Sequence, residues 1–129
     1  MGEGKEKGFR KLINAINTGL SETNNGVTLL LENTAGTKNS MGSTFEDIQN
    51  IICKIVNQKR IGLCFDTSHA FAAGYDLRTK TAIDAMINEI EELIGFDRVK
   101  LVHLNDSKGD LNSRIDRHEL IGLGKSGQE

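Results

Sequence analysis

Six side chains of metal-ligand type mark the 129-residue sequence: Glu32, Asp66, His69, His103, Asp116 and His118, which include all three of its histidines. They are not scattered. His69 follows Asp66 by three positions in Asp66-Thr67-Ser68-His69, and His118 follows Asp116 by two in Asp116-Arg117-His118. Neutral imidazole with carboxylate suits zinc, and the neighbouring thiolate pairs of a structural zinc finger are lacking. Six such groups exceed what one tetrahedral ion takes, so the set points to several metals. Clustered divalent ions are the usual apparatus of phosphoester hydrolysis: one lowers the pKa of the attacking water, and others neutralise the phosphate and the leaving oxygen. A carboxylate bridging two ions is the role expected of Glu32. The cations Lys108, Arg114, Arg117 and Lys125 surround the last Asp/His pair, where they are placed to touch nucleic-acid phosphates. The bland alternatives are a helix N-cap for any single carboxylate and a solvated loop for any single cation.

Such a set needs elements that bring it to one place. Phe9, Leu12, Ile13, Ile16 and Leu20 recur at helical spacing, predicting an amphipathic helix from Phe9 to Leu20. The apolar run from Val27 to Leu31 predicts a buried parallel strand ending in Glu32. Ser43-Thr44-Phe45-Glu46 fits a capping box opening a second helix, with Phe45, Ile48, Ile51, Ile52, Ile55 and Val56 on its inner face. Ile61 to Phe65 is the next strand, ending in Asp66. A loop from Thr67 to about Arg78 follows. A third helix then buries Ile83, Met86, Ile87, Ile90, Leu93 and Ile94, and stops near Gly95. Val99 to Val102 forms a third strand ending in His103, and beyond Asn105 the chain is polar, without helical period or strand. Strand ends spaced by 34 and then 37 residues give the rhythm of βα units, and the fold class is α/β with a parallel sheet. In such folds ligands gather at the carboxyl edge of the strands, where Glu32, Asp66 and His103 stand.

Composition narrows the function classes. Sixteen Lys and Arg against 18 Asp and Glu give a net charge of -2, which excludes a polybasic nucleic-acid arm but allows a locally basic groove. No apolar run approaches the ~20 residues of a membrane helix, and the N-terminus carries no signal-peptide pattern, so a cytoplasmic protein (nuclear or organellar if eukaryotic) without a membrane partner is expected. Cys53 and Cys64 both sit in apolar surroundings and are expected to be buried free thiols. Gly122-x-Gly124-x-x-Gly127 formally matches a dinucleotide fingerprint, but no strand precedes it. A Ser68/His69 hydrolase is disfavoured because no nucleophile elbow is present. With no Trp and only Tyr75, there is no stacking platform for single strands.

Three ordered segments resemble a known family. Leu31-Glu32-Asn33-Thr34-Ala35-Gly36, Cys64-Phe65-Asp66-Thr67-Ser68-His69-Ala70-Phe71-Ala72-Ala73-Gly74-Tyr75-Asp76, and His103-Leu104-Asn105-Asp106-Ser107-Lys108 with the later Asp116-Arg117-His118 are similar to the signatures of the endonuclease IV group of apurinic/apyrimidinic endonucleases. The resemblance implies a (β/α)8 TIM barrel with three zinc ions at its carboxyl face. It implies cleavage of duplex DNA on the 5′ side of an abasic site, leaving a 3′-hydroxyl, in base excision repair. Glu32 then resembles the bridging carboxylate, Asp66 and His103 ligands of one bridged ion, and His69, Asp116 and His118 the complete set for the third zinc. Arg117 resembles a DNA-contacting residue, with Lys108 and Arg114 as further candidates.

The chain departs from the family's pattern in two ways. Ser68 stands where the family frequently has Cys. The chain also resembles only the region of the fifth to seventh strands, one incomplete barrel domain over residues 1–129, about half of the ~250 residues of a full barrel. The family's two N-terminal histidine ligands, intercalating loop and C-terminal glutamate have no counterpart. The isolated chain is therefore expected to be inactive, and the full-length protein monomeric. A sugar isomerase or epimerase, or a non-catalytic metal-binding remnant, is the alternative. Asp116 and His118 discriminate, because a one- or two-metal isomerase has no use for a third site.

Overall fold

Three apolar runs, each ending in a ligand-type residue, form the strands of one parallel sheet: β1 (Leu29–Glu32), β2 (Ile61–Asp66) and β3 (Val99–His103), side by side in chain order. The computed structural model describes residues 2–127, so Met1, Gln128 and Glu129 of the expected domain lie outside the described residues. Register pairs Glu32 with Cys64 and Asp66 with His103, which brings the three strand ends to one edge of the sheet. β2 is central and buried at all six positions, the reason it reads as a continuous apolar run rather than an alternation. At Gly62 an added Cβ would lie 2.8 Å from the carbonyl oxygen of Arg98, so only glycine admits the start of β3 this close. The pairing then slips between Leu63 and Cys64, whose partners are Val99 and Leu101.

Helices cover this sheet. α1 (Gly2–Glu22) contributes Ile13, Ile16 and Leu20, α2 (Phe45–Ile52) contributes Phe45, Ile48, Ile51 and Ile52, and α4 (Lys80–Leu93) contributes Met86 and Ile90. They pack on Ile61, Leu63 and Phe65 of β2. Each such side chain, fully buried, stabilises by roughly 1.5–3 kcal/mol before entropy is counted. Phe45 anchors the contact, with ring centroids 4.5 Å from Tyr75 and 6.0 Å from Phe65.

The structure corrects several sequence expectations. α1 starts at Gly2 rather than Phe9, because the helix runs on past the end of its apolar stripe. Thr44, not Ser43, caps α2, its hydroxyl accepting from the Asp47 amide at 3.1 Å, so the box ending at Glu46 is not the one used. α2 also ends at Ile52; Ile55 is buried by the turn that follows, while Val56 is 85% exposed. Cys53, at the end of α2, is exposed rather than buried. β1 begins at Leu29 and is only half-buried, and β3 is largely exposed rather than core. Ile87 lies at the margin of the inner face of α4, 36% exposed.

The expected loop after Asp66 holds a short helix, α3 (Thr67–Ala72), too brief to show an apolar period. The polar segment beyond Asn105 holds a small antiparallel ladder, β4 (Asp106–Ser107) with β5 (His118–Glu119). Among the described residues no helix is long and apolar enough to cross a membrane.

Candidate metal centre

Asp66 is the pivot of the site. Ending β2 and 0% exposed, its carboxylate caps α3 by accepting from the His69 amide at 2.9 Å through Oδ1. Asp66 Oδ2 lies 3.6 Å from His118 Nε2 and 3.8 Å from His103 Nδ1, and accepts from Asn105 Nδ2 at 3.3 Å. The cap starts α3 so that His69 turns into the same cup.

His69 Nδ1 lies 2.7 Å from the carbonyl oxygen of Asn33. A carbonyl only accepts, so Nδ1 carries the proton and the neutral ring presents its Nε2 lone pair. Facing it are Asp116 Oδ1 at 3.1 Å and His118 Nε2 at 3.4 Å, with His118 Nε2 and Asp116 Oδ1 3.6 Å apart. Ligand atoms held about 2.0–2.2 Å from one tetrahedral zinc stand roughly 3.4 Å from one another, so these three fit such an ion. The Asn33 contact supplies the outer-shell hydrogen bond that metal-ligating histidines use.

The second cluster sits at the neighbouring strand ends. Glu32 Oε1 is 3.0 Å from His103 Nδ1 and 3.6 Å from His69 Nδ1, so this carboxylate stands between the two histidines. Glu32, Cys64 and His103 offer ligand atoms all within 4.8 Å of one another, as do Asp66, His69 and His118. Burial, then the negative charges of Glu32 and Asp66, pushes the Cys64 thiol up from its ordinary value of 9.0.

Three residues in or near the centre are not singled out by residue type and spacing. Cys64 reads as an inert core thiol, although its place two residues before Asp66 puts both on one face of β2. Asn33 directly follows a strand-end ligand and offers no further signal. Asp106, 3% exposed, accepts from the amides of Ser107, Gly122, Gly124 and Ser126 at 2.7–3.0 Å and from the Ser126 hydroxyl. Burial alone would raise its pKa. The hydroxyl and amide donors of Ser126, with the amides of Ser107 and Gly124, bring it to about 2 instead. Two of the three glycines that mimic a dinucleotide fingerprint, Gly122 and Gly124, thus wrap a carboxylate of the chain itself and tie the last segment to β4.

The expected DNA-contacting cations Lys108, Arg114 and Arg117 are all exposed. The Lys108 amide donates to the Arg117 carbonyl at 3.0 Å, and the Arg114 amide donates to the Ala72 carbonyl at 2.9 Å. Arg114 holds φ 58°, a costly conformation for a side-chain-bearing residue that helps turn the chain toward Asp116.

The family described as "Xylose isomerase-like TIM barrel" matches residues 2–128. A protein named "Probable endonuclease 4" from Methanoculleus marisnigri is 50% identical over 99% of this chain and 46% of its own length. "Apurinic-apyrimidinic endonuclease 1" of Plasmodium berghei is 47% identical over 93% of this chain and 23% of its own. Among solved structures, endonuclease IV from Thermus thermophilus superposes with a TM-score of 0.64 at 40% identity, covering 78% of this chain and 35% of that one. The chain spans about half the length of the curated endonuclease 4 relatives it matches.

Proposed function

The chain belongs to the Xylose isomerase-like TIM barrel family, and on that premise we propose that it is part of a zinc-dependent DNA-repair endonuclease that hydrolyses the phosphodiester 5′ to abasic sites in duplex DNA. The observation that carries this reading is the convergence of His69 Nε2, Asp116 Oδ1 and His118 Nε2 within 3.1–3.6 Å. A separate ligand set beside Glu32, Asp66 and His103 favours multi-metal phosphoester chemistry over sugar isomerisation.

Zinc bound at these ligands would supply Lewis-acid charge and lower the pKa of a bound water. Within the chain, Glu32 would help hold the ions at the strand ends, its Oε1 standing 3.0 Å from His103 Nδ1 and 3.6 Å from His69 Nδ1. Asp66 is held rigid by its cap on α3 and its burial, and orients the ligand atoms around it. Asn33 fixes the His69 tautomer, keeping Nε2 free of its proton. Arg117, Lys108 and Arg114 bind backbone phosphates at the exposed rim, so the grip is local in a chain whose net charge is -2. An abasic nucleotide is the easiest to extrude from the duplex, since it has no base pair to break.

The test is a chimera in which this chain replaces the matching segment of the Methanoculleus marisnigri relative, assayed on duplex DNA with a tetrahydrofuran abasic analogue. Nicking that leaves a polymerase-extendable 3′-hydroxyl is expected, and Arg117→Ala should weaken binding with a shallower salt dependence. Intact analogue DNA with turnover of a ketose would assign the chain to the isomerases.

A further inference from the structure

The peptide unit joining Ser107 to Lys108 is held from both sides. Its N–H, from Lys108, donates to the Arg117 carbonyl at 3.0 Å, and its C=O, from Ser107, accepts from the Lys125 amide at 2.8 Å. The N–H and C=O of a trans peptide point in opposite directions, so three stretches of chain lie side by side here. Each carries a cation: Arg117, Lys108 and Lys125. All three side chains are exposed, and among the described residues no acidic side chain pairs with any of them. Like charges on neighbouring strands repel, so a cluster kept in this arrangement suits a polyanion laid across it.

The Lys125 stretch is not held by apolar packing, since Ile121 and Leu123 beside it are 64% and 67% exposed. Asp106 holds it. Adjacent to the shared peptide, its buried carboxylate accepts from the amides of Gly122, Gly124 and Ser126 at 2.9–3.0 Å and from the Ser126 hydroxyl. A Cβ on Gly124 would collide with Asp106 Oδ1 and the Ser107 carbonyl oxygen, so glycine is what lets the chain close this tightly. Converging backbone N–H groups make an anion cradle, and Asp106 fills this one from within the chain.

We propose that Lys125, set beside Lys108 and Arg117, is a further phosphate contact for duplex DNA, and that Asp106 is the positioning residue that puts it there. The inference rests on the reading of the chain as part of a DNA endonuclease and adds to it a contact and the anchor of that contact. With the Ser107 amide, five donors converge on the Asp106 carboxylate. An asparagine there offers one acceptor oxygen and turns its own N–H groups on the remaining donors, so Asp106→Asn opens the cradle and frees the Lys125 stretch.

The test is a double-mutant cycle in the chimera with the Methanoculleus marisnigri relative, with affinity for undamaged duplex DNA read by fluorescence anisotropy across a salt series. Lys125→Ala should weaken binding about three- to ten-fold and lower the slope of log affinity against log salt by about one, the mark of one lost phosphate contact. Asp106→Asn should do the same, and combining the two should cost little more than either, because one acts through the other. On duplex carrying the tetrahydrofuran analogue, both should raise KM more than they lower kcat, a split that loss of folded protein does not give. If Asp106→Asn fails to fold, Ser126→Ala, which removes one donor of the five, should give a smaller loss of the same sign that vanishes once Lys125 is alanine. Unchanged affinity and slope in Lys125→Ala would overturn the phosphate contact, and additive losses in the double variant would overturn the positioning role of Asp106. Either result in a chimera that still nicks the analogue leaves the endonuclease reading intact. A parent chimera that binds no duplex at all would defeat that reading and this inference together.

Discussion

The side-chain amide of Asn33 engages both backbone polar groups of Asp66: Oδ1 accepts from the Asp66 amide at 2.7 Å and Nδ2 donates to the Asp66 carbonyl at 2.9 Å. Both residues are buried, and the carbonyl of Asn33 receives His69 Nδ1. One residue just past the end of β1 therefore sets the position of one ligand and the tautomer of another. Asn33→Ala leaves an amide and a carbonyl of Asp66 unpaired in the interior, a loss of about 2–4 kcal/mol. Urea unfolding should report it, with metal affinity falling roughly 10–100-fold because the orienting contacts of Asp66 are gone.

Removing His118 should empty one metal position and spare the rest. His118→Ala is expected to lower bound zinc by about one equivalent, because His69 and Asp116 alone make a poor tetrahedral site. Elemental analysis after dialysis checks this, and unchanged zinc would mean that Asp66, 3.6 Å from His118, is the true partner of His69.

The Asp106 carboxyl sits at about 2 when folded, against an ordinary 3.8. A lowered folded pKa contributes stability that is complete above the unfolded value and is lost as pH falls from 3.8 through about 2. The shift corresponds to about 2 kcal/mol. Asp106→Asn should destabilise the chain at neutral pH and flatten its stability between those two pH values, which acid-unfolding curves followed by circular dichroism will show.

Ser68 has a buried hydroxyl oxygen with no hydrogen-bond partner among the described residues. Its desolvation is uncompensated, so Ser68→Ala should stabilise by about 1 kcal/mol, seen as a higher Tm. Ser68→Cys should do much the same, since a thiol demands less of its surroundings than a hydroxyl.

The three-stranded sheet ends at β1 on one side and β3 on the other, and Leu101, Val102 and Leu104 along the β3 side are 47%, 50% and 63% exposed. Unpaired edges beside apolar side chains template further pairing. Sedimentation of the isolated chain should show concentration-dependent association, and Val102→Lys should reduce it. The same chain by itself should show no abasic-site cleavage, and chelator-sensitive nicking by a monomer would refute that.

Local pattern made much of this legible. The continuous apolar run from Ile61 to Phe65 required a doubly covered strand, and the βα rhythm alone put Glu32, Asp66 and His103 at one edge. α3 escaped because six residues are too few to show a helical period, and the capping box misled because Ser43 and Thr44 are both good caps and only backbone geometry chooses between them. Spacing and period did not show what His69 meets; the family resemblance implied Asp116 and His118, and the tertiary structure supplies the contacts. Asp116 lies 47 residues away in a segment without period, and it arrives there through the β4–β5 ladder, the wrapping of Asp106 and the turn at Arg114. It also turned Cys64 toward His103 rather than into carbon. Periodicity records which face of an element is buried and where it stops, because that information is local. The partner across a cup depends on loops whose conformation is set by hydrogen bonds between distant residues, and no spacing along the chain encodes those.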